Sequence, residues 1–126
     1  MYNYNATCVR VVDGDTIDAM IDLGFGVHVK KRIRLAGINA PESRTRNKVE
    51  KKLGLAAKER LIEMLDGAAN CFELESQELG KYGRVLGRLH INKLAGKETL
   101  TQVCINDCLV KEGHAVEYDG GKRKSF

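Results

Sequence analysis

Two neighbouring segments with alternating apolar and polar residues constrain the fold more than any other feature of the chain. From Thr16 to Leu23, apolar residues occupy every second position and aspartates lie between them. Val27 to Ala36 alternates in the same way, with basic residues between the apolar ones. A period of two is typical of a half-buried β-strand, and the intervening Gly24-Phe25-Gly26 supplies turn residues. The pattern therefore predicts an antiparallel hairpin.

Three further segments predict strands, and together the five strands suggest a barrel. Ala6 to Val12 is rich in β-branched residues and would extend the hairpin into a three-stranded meander. Cys71 to Ser76 and Val85 to Ile91 follow later in the chain. An early meander and two later strands fit a small, partly open barrel of the OB type, and an open α+β sheet is the alternative. We expect an α+β, mainly β fold: a five-stranded OB-type barrel with two to three flanking helices.

Apolar residues at helical spacing predict two helices. The first ends at Gly67, a good C-terminal stop. Asn47 with Glu50 would form a variant of the capping box, but Gly54 weakens the turns that follow, so we expect the start near Gly54. The second helix is expected over Thr101 to Glu112. The predicted connections are a loop over Gly37 to Lys48, a link over Gln77 to Arg84 and a turn over Asn92 to Gly96.

Length and composition indicate a folded domain. The chain has 126 residues, 43% of them apolar and 30% charged, which is typical of globular and not of disordered chains. We expect one domain over residues 1–126, with a flexible basic tail over residues 119–126. No apolar run reaches the roughly 18–20 residues that span a bilayer, and the first residues lack a secretory pattern. The expectation is a cytoplasmic monomer without membrane contact, and no protein partner is indicated.

The four cysteines are scattered along the sequence, at Cys8, Cys71, Cys104 and Cys108. An even number permits two disulfides, but nothing indicates export to an oxidising compartment. A zinc site would favour closely spaced Cys-x-x-Cys pairs, and the sequence contains none. We therefore expect four reduced thiols.

Charge is distributed unevenly along the chain. The net charge is +4, yet the segment from Lys30 to Arg60 holds eleven basic and three acidic residues, a net of +8. Such an excess is often only a solvated surface. It is also the electrostatic footprint of a surface that binds polyanions. Composition leaves both interpretations open.

Three short motifs carry possible chemistry. Asp13-Gly14-Asp15-Thr16 is either an ordinary hairpin turn or a site for a hard cation, which prefers carboxylate and carbonyl oxygens. In the segment from Arg34 to Glu42, the arginine lies at the end of a predicted strand, and its guanidinium is suited to binding phosphate. The carboxylate of Glu42, in the loop that follows, is suited to binding water. Lys81-Tyr82-Gly83-Arg84 opens a strand with basic residues. Each motif alone is compatible with a plain turn.

Taken together, in this order and at this spacing, the three motifs resemble the staphylococcal nuclease, or thermonuclease-like, family. Gly54-Leu55-Ala56-Ala57 and the segment from Leu109 to Gly113 are also similar to the family. The resemblance covers roughly Thr7 to Tyr118. It implies an OB-type barrel and a Ca²⁺-dependent phosphodiesterase, with Mg²⁺ or Mn²⁺ as possible substitutes. It also implies cleavage of DNA and RNA with little sequence preference, leaving 3′-phosphate ends.

The resemblance also assigns roles to individual residues. It implies that Asp15, the residue at Asn39 and the carbonyl of Ala40 bind the metal, and that Asp13 shapes the loop around Asp15. The implied catalytic residues are Glu42, which orients or deprotonates water, and the phosphate-gripping Arg34 and Arg84. The resemblance also implies that Lys81 and Tyr82 lie near the nucleotide. Independently, the alternation of the third strand places Lys30 and Arg32 on the same face as Arg34, where we expect a phosphate chain to run, and Tyr118 is a candidate for stacking on a base. Tyr118 has the alternative of packing half-buried at a strand end.

One departure from the family pattern bears on function. The family usually has aspartate where this chain has Asn39, and often threonine where it has Ala40. The amide keeps an oxygen but removes a negative charge from the cation site. A noncatalytic nucleic-acid-binding OB module is therefore the alternative to a nuclease.

Overall fold

The computed structural model describes residues 2–79, 85–95 and 99–118. In chain order, the elements are β1 (Tyr2–Asp13), β2 (Thr16–Gly24), β3 (Val27–Leu35), β4 (Ile38–Asn39), α1 (Lys48–Asp66), β5 (Cys71–Leu79), β6 (Val85–Ala95), β7 (Thr99–Cys104), α2 (Ile105–Lys111) and β8 (Val116–Glu117). Among the described residues, no helix is both long and apolar enough to cross a membrane.

Five of these strands close into the predicted barrel. β1 pairs antiparallel with β2 and β5, β2 pairs with β3, and β5 pairs with β6. A short parallel contact between β3 and β6, which pairs Ile33–Leu35 with Val85–Gly87, completes the circle. The closure confirms the OB-type barrel and excludes the open sheet. β7 extends the sheet beyond β6, and β4 pairs with β8.

The predicted alternation of the hairpin is confirmed where its strands belong to the barrel. Ile17, Ala19 and Ile21 of β2 face the core and are buried, as are Ile33 and Leu35 of β3. Towards the turn the same alternation leaves Leu23 and Val27 about half exposed. The reason is that β3 contacts β6 only over its last three residues, so the earlier part of the hairpin extends beyond the barrel.

The predicted start of the first helix near Gly54 is wrong, because the helix begins at Lys48. The side chain of Asn47 accepts hydrogen bonds from the backbone N–H groups of Val49 and Glu50, at 3.0 and 3.1 Å. These bonds satisfy two amides that a helix start leaves unpaired. Gly54 lies inside the helix. A glycine is needed at this position because a Cβ would overlap the carbonyl oxygen of Glu42. The glycine therefore permits close packing and does not mark an end.

The predicted turn over Asn92 to Gly96 and the predicted helix over Thr101 to Glu112 are also partly wrong. β6 continues to Ala95, and Thr99–Cys104 forms the additional strand β7. Helix α2 begins only at Ile105. Pairing with β6 overrides helical spacing here, since Val103 lies opposite Ile91 in a regular antiparallel register. The loop predicted over Gly37 to Lys48 likewise contains the two-residue strand β4.

The buried side-chain amide of Asn106 connects helix α2 to the two strands that close the barrel. Asn106 is fully buried, and its Nδ2 donates to the carbonyl oxygens of Ala36 and Gly87, at 2.8 and 3.2 Å. Its Oδ1 accepts from the backbone N–H of Leu89, at 3.1 Å. One side chain thus joins the end of β3, the start of β6 and the second helix, with its buried polar atoms satisfied.

The cysteines form no disulfide. Burial raises the pKa of the Cys8 and Cys104 thiols above their usual value. Both groups therefore favour the neutral thiol, which is the less reactive form.

The close approach at Gly54 gives a test of this packing. Gly54→Ala should lower the free energy of unfolding by about 1–3 kcal/mol, because the added methyl group overpacks the contact with Glu42. Gly67→Ala is the matched control, since a Cβ there meets only ordinary contacts at 3.5 Å or more. Urea denaturation of both variants measures the difference. Equal stabilities would show that Gly54 is not required for this contact.

Candidate functional site

The buried carboxylate of Asp15 lies at the centre of the candidate site. Asp15 lies in the turn between β1 and β2 and is only 7% exposed. Its Oδ1 accepts from the hydroxyl of Thr16, at 2.9 Å, and its Oδ2 accepts from the backbone N–H of Ala40, at 2.9 Å. A buried carboxylate requires such partners, since desolvation of an unpaired charge is costly.

Arg34 connects Asp15 with Asn39. Near the end of β3, its Nη1 lies 3.1 Å from Oδ2 of Asp15, and its Nη2 donates to Oδ1 of Asn39 at 3.4 Å. The side chain of Arg34 is 18% exposed, so this ion pair is largely shielded from water. The oxygens of Asp15 and Asn39 therefore converge on one cationic group. Three of the predicted site residues are brought together by this contact.

Two buried N–H donors in this cluster form no aligned hydrogen bond with a described residue. One is Nη1 of Arg34, whose contact with Asp15 is an ion pair without hydrogen-bond alignment. The other is Nδ2 of Asn39, a residue that is 8% exposed. Buried donors are rarely left unpaired, because each costs roughly 1–3 kcal/mol. Since Nη1 of Arg34 still lies within ion-pair distance of Asp15, only Nδ2 of Asn39 is left without a partner among the described residues.

The loop that carries Ala40 and Glu42 is held on both sides. Ala40 is bonded to Asp15, and Oδ1 of Asp13 accepts from both the backbone N–H and the hydroxyl of Ser43. Between these points the backbone of Glu42 contacts helix α1 at Gly54. The side chain of Glu42 is exposed. The backbone on either side of Glu42 is thus fixed, and Asp13 holds the end of the loop at Ser43.

Tyr118 covers the guanidinium of Arg34. The Cζ atom of Arg34 lies 5.7 Å from the centroid of the Tyr118 ring, within the range of a cation–π contact. The backbone N–H of Tyr118 donates to the carbonyl of Gly37, at 2.8 Å, and continues the pairing of β8 with β4. Tyr118 is half-buried. Both expectations for it are compatible with this position, since the ring packs and still borders the cluster.

The outward side chains of β3, which we call the basic face, are His28, Lys30, Arg32 and Arg34. Arg32 is paired across the strands with Asp18, at 2.8 Å from Nε to Oδ1. This guanidinium holds the pKa of the Asp18 carboxyl below its usual value. Lys30 is exposed and forms no ion pair with a described carboxylate. The basic face therefore has less free charge than the sequence suggests, because Asp18 offsets Arg32.

Three predicted site residues, Lys81, Tyr82 and Arg84, lie outside the described residues. Sequence reasoning missed two residues that support the site, Thr16 and Ser43. Both hydroxyls bond the carboxylates of the Asp-Gly-Asp turn. Thr16 had a signal, since it directly follows that turn, whereas the partnership of Ser43 with Asp13 spans thirty positions and leaves no local pattern.

The fold is a closed OB-type barrel, and the candidate site near one end of it combines the side chains of Asp15, Arg34 and Asn39. The family described as Staphylococcal nuclease homologue matches residues 32–125. The chain belongs to this family.

Two curated proteins are similar to the chain over most of its length. "Micrococcal nuclease" of Shigella flexneri is 31% identical over 118 residues, which are 92% of this chain and 59% of that protein. "Protein ParB" of Escherichia coli is 29% identical over 110 residues, 87% of this chain and 55% of that protein. The chain therefore spans little more than half the length of these relatives.

The hydrogen bonds between Asp13 and Ser43 can be tested by mutation. Asp13→Ala should lower the free energy of unfolding by about 1.5–3 kcal/mol, because it removes a carboxylate that accepts two hydrogen bonds in a part-buried site. Asp22→Ala is the control, since the Asp22 carboxylate accepts one exposed backbone bond, from Gly24. Urea titration compares the two. A smaller loss for Asp13→Ala than for Asp22→Ala would contradict a structural tie at Asp13.

Proposed function

We propose that the chain is a metal-dependent nuclease that hydrolyses DNA and RNA with little sequence preference and leaves 3′-phosphate ends. The observation that carries the proposal is the convergence of the Arg34 guanidinium, the Asp15 carboxylate and the Asn39 amide in one cluster. A phosphodiester is anionic, and a guanidinium is a suitable partner for its oxygens. Family membership and the similarity to a protein named a nuclease support the same function.

In this proposal Arg34 and Arg84 stabilise the charge that develops on the phosphate. A phosphodiester gains negative charge in its five-coordinate transition state, and guanidinium forks match that charge. Arg34 is already held in place by Asp15, Asn39 and Tyr118. Its preorganisation lowers the cost of orienting a long side chain at the moment of reaction.

The donor set fits a hard cation, and Ca²⁺ is the proposed one, with Mg²⁺ or Mn²⁺ as substitutes. Asp15 would bind it through its carboxylate, Asn39 through its amide oxygen and Ala40 through its carbonyl oxygen, which are the ligand types such ions prefer. The convergence of Asp15 and Asn39 on the guanidinium of Arg34 supports a site for positive charge here. When bound, the cation would neutralise a non-bridging phosphate oxygen.

Glu42 is the proposed residue that orients or deprotonates the attacking water. Its carboxylate is exposed, and the backbone on either side is held by Asp15 and Asp13. A general base needs reach to its water and a fixed position more than it needs burial. The substrate strand would be steadied by Lys30, Arg32, Lys81, Tyr82 and Tyr118.

One observation favours a second candidate, a noncatalytic nucleic-acid-binding module. Asn39 contributes no negative charge to the cluster, and the remaining carboxylate of Asp15 is already paired with Arg34. A cation would therefore be attracted weakly, while phosphate binding by the donors would be unaffected.

Digestion of plasmid DNA and RNA with Ca²⁺, Mg²⁺, Mn²⁺ or EDTA separates the candidates. Binding without cleavage under every metal would reject the nuclease.

Removing either phosphate-gripping arginine should slow the reaction strongly. Arg34→Ala and Arg84→Ala should each lower kcat by about 10²–10³-fold, equivalent to about 3–4 kcal/mol of transition-state stabilisation. Arg88→Ala is the control, because that arginine is paired with Asp107 on the surface near α2. Single-turnover cleavage by the folded variants gives the rates. Near-normal turnover by either variant would remove that arginine from the mechanism.

The amide at position 39 should set the calcium requirement. Asn39→Asp adds a second carboxylate, so it should tighten Ca²⁺ binding and lower the half-activating Ca²⁺ concentration. Asp15→Ala should nearly abolish both metal binding and activity. Calorimetric Ca²⁺ titration, read beside cleavage rates, measures the two effects. An unchanged affinity and an unchanged half-activating concentration in Asn39→Asp would show that residue 39 does not contact the metal.

A further inference from the structure

The excess of positive charge in the sequence is partly cancelled in the structure, since Arg32 pairs with Asp18 and Arg60 pairs with Glu112. A cluster of basic side chains remains in the loop before α1 and in the first turns of that helix. All of them are exposed, and none forms an ion pair with a described carboxylate. They are Arg44, Arg46, Lys48, Lys51 and Lys52, which we call the basic patch. None of the preceding chemistry uses these five charges.

The basic patch directly continues the candidate site. Arg44 follows Glu42 by two residues, at most about 7 Å of chain, and Ser43 between them is buried and hydrogen-bonded. Helix α1 is held against the same loop, because Gly54 packs at backbone distance on Glu42. Lys51 precedes Gly54 by about one helical turn, roughly 5 Å along the axis. The backbone that carries the patch is therefore fixed in position relative to Glu42.

The charges on α1 are arranged against the dipole of the helix. Lys48 and Lys51 lie in its first turn beside the half-buried Glu50, while Glu63 and Asp66 lie in its last turn, which holds no basic residue. A helix dipole favours acidic side chains at the start and basic ones at the end. The two lysines therefore reduce the stability of the helix. An arrangement that opposes local stability is typical of a functional surface.

The distribution of charge favours a narrow phosphate chain over a lipid surface as the partner of the patch. The exposed side of α1 is basic only in its first half, since Glu59, Glu63 and Asp66 are exposed in its second half. These carboxylates would repel an anionic membrane lying along the helix, whereas a strand crossing the first turns would avoid them. Val49 and Leu55 are 72% and 48% exposed, but they lie about 120° apart around the helix. They do not form the continuous apolar face with which a helix enters a membrane.

We propose that the basic patch binds the phosphate backbone of the DNA or RNA strand that is cleaved at the Arg34 cluster, at nucleotides beyond the cleaved phosphate. This surface rests on the proposed function. Lysine and arginine side chains bind phosphates without reading bases, so the patch adds affinity without sequence preference. From Lys48 to Lys52 the helix rises about 6 Å, which lets their side chains reach neighbouring phosphates of one strand. The patch therefore favours substrates that are several nucleotides long.

Binding in EDTA tests the patch separately from catalysis. Lys48→Gln combined with Lys51→Gln should weaken binding of a fluorescent 15-mer of thymidylate by about 10- to 30-fold near 0.1 M salt. The slope of log affinity against log salt should become shallower by about 1.4, since each lost contact with a single strand removes ~0.7. Arginine at both positions should retain the affinity, because the charge is kept.

A second double variant is the matched control for net charge. Arg60→Gln combined with Arg88→Gln also removes two positive charges, but from guanidinium groups that are already paired with carboxylates. This control should leave the salt slope close to that of the wild type. An equal change in both double variants would show an effect of net charge alone and would overturn the surface.

Stability and substrate length separate a binding role of the lysines from a structural one. The urea midpoint of the lysine double variant should stay equal or rise, because repulsion by the helix dipole is relieved. Its KM for the cleaved 15-mer should rise with kcat unchanged, while KM for a dinucleotide should not change. A lowered urea midpoint, or an equal rise of KM for the dinucleotide, would contradict a surface that binds distant phosphates.

The remaining outcomes distinguish failure of the surface from failure of the nuclease. Unaltered affinity and salt slope for the 15-mer would overturn the surface even if the chain cleaves DNA. Conversely, binding that depends on the two lysines in a chain that cleaves nothing would reject the nuclease and retain the surface.

Two other partners would overturn the proposal. If phosphatidylserine vesicles bind the wild type but not the lysine double variant, and the 15-mer binds both equally, the patch contacts a lipid surface. If sedimentation shows self-association that the double variant abolishes, again with equal binding of the 15-mer, the patch contacts a second copy of the chain.

Discussion

The ionic contact between Asp15 and Arg34 is the interaction on which the remainder of the site depends. The carboxylate is almost fully buried, and it is tolerated because a guanidinium, a hydroxyl and a backbone amide satisfy it. Each partner comes from a different part of the chain: Arg34 from β3, Thr16 from β2 and Ala40 from the loop after β4. One buried charge thereby fixes the relative positions of three segments. The proposed chemistry needs that arrangement before any substrate arrives.

Two glycines allow the first helix to support this site. A Cβ at Gly14 would lie 2.7 Å from the Cβ of Ala57, and a Cβ at Gly54 would overlap the carbonyl of Glu42. The helix therefore contacts both the Asp-Gly-Asp turn and the loop of the proposed general base at backbone distance. Small residues on facing surfaces permit this approach, and larger ones would separate the helix from the loop.

The sequence was sufficient to predict the barrel but not all of its surroundings. The alternation around Ile17 and Ile33 fixes which side chains face the core, since a shift of the register by one residue would expose them. The end of β6 and all of β7 were missed because strand pairing outweighs the local helical spacing near Val103. In the sequence Gly54 suggests a weakened helix, whereas in the structure a long-range contact with Glu42 requires the glycine. The motifs predicted that Asp15, Arg34 and Asn39 belong to one site, but contacts such as Ser43 with Asp13 leave no local trace.

The parallel contact between β3 and β6 has a consequence for the order of folding. It joins Ile33–Leu35 to Val85–Gly87, segments about fifty residues apart, whereas the β2–β3 hairpin joins near neighbours. Closing a long loop costs more chain entropy than closing a hairpin, so we expect this contact to form after the meander. Arg34 lies in the middle of the paired segment, and Asn106 fastens the same contact from α2. The surroundings of Arg34 are therefore completed from the C-terminal half of the domain, so a chain truncated before β6 would leave this arginine without its pairing strand and without the ring of Tyr118.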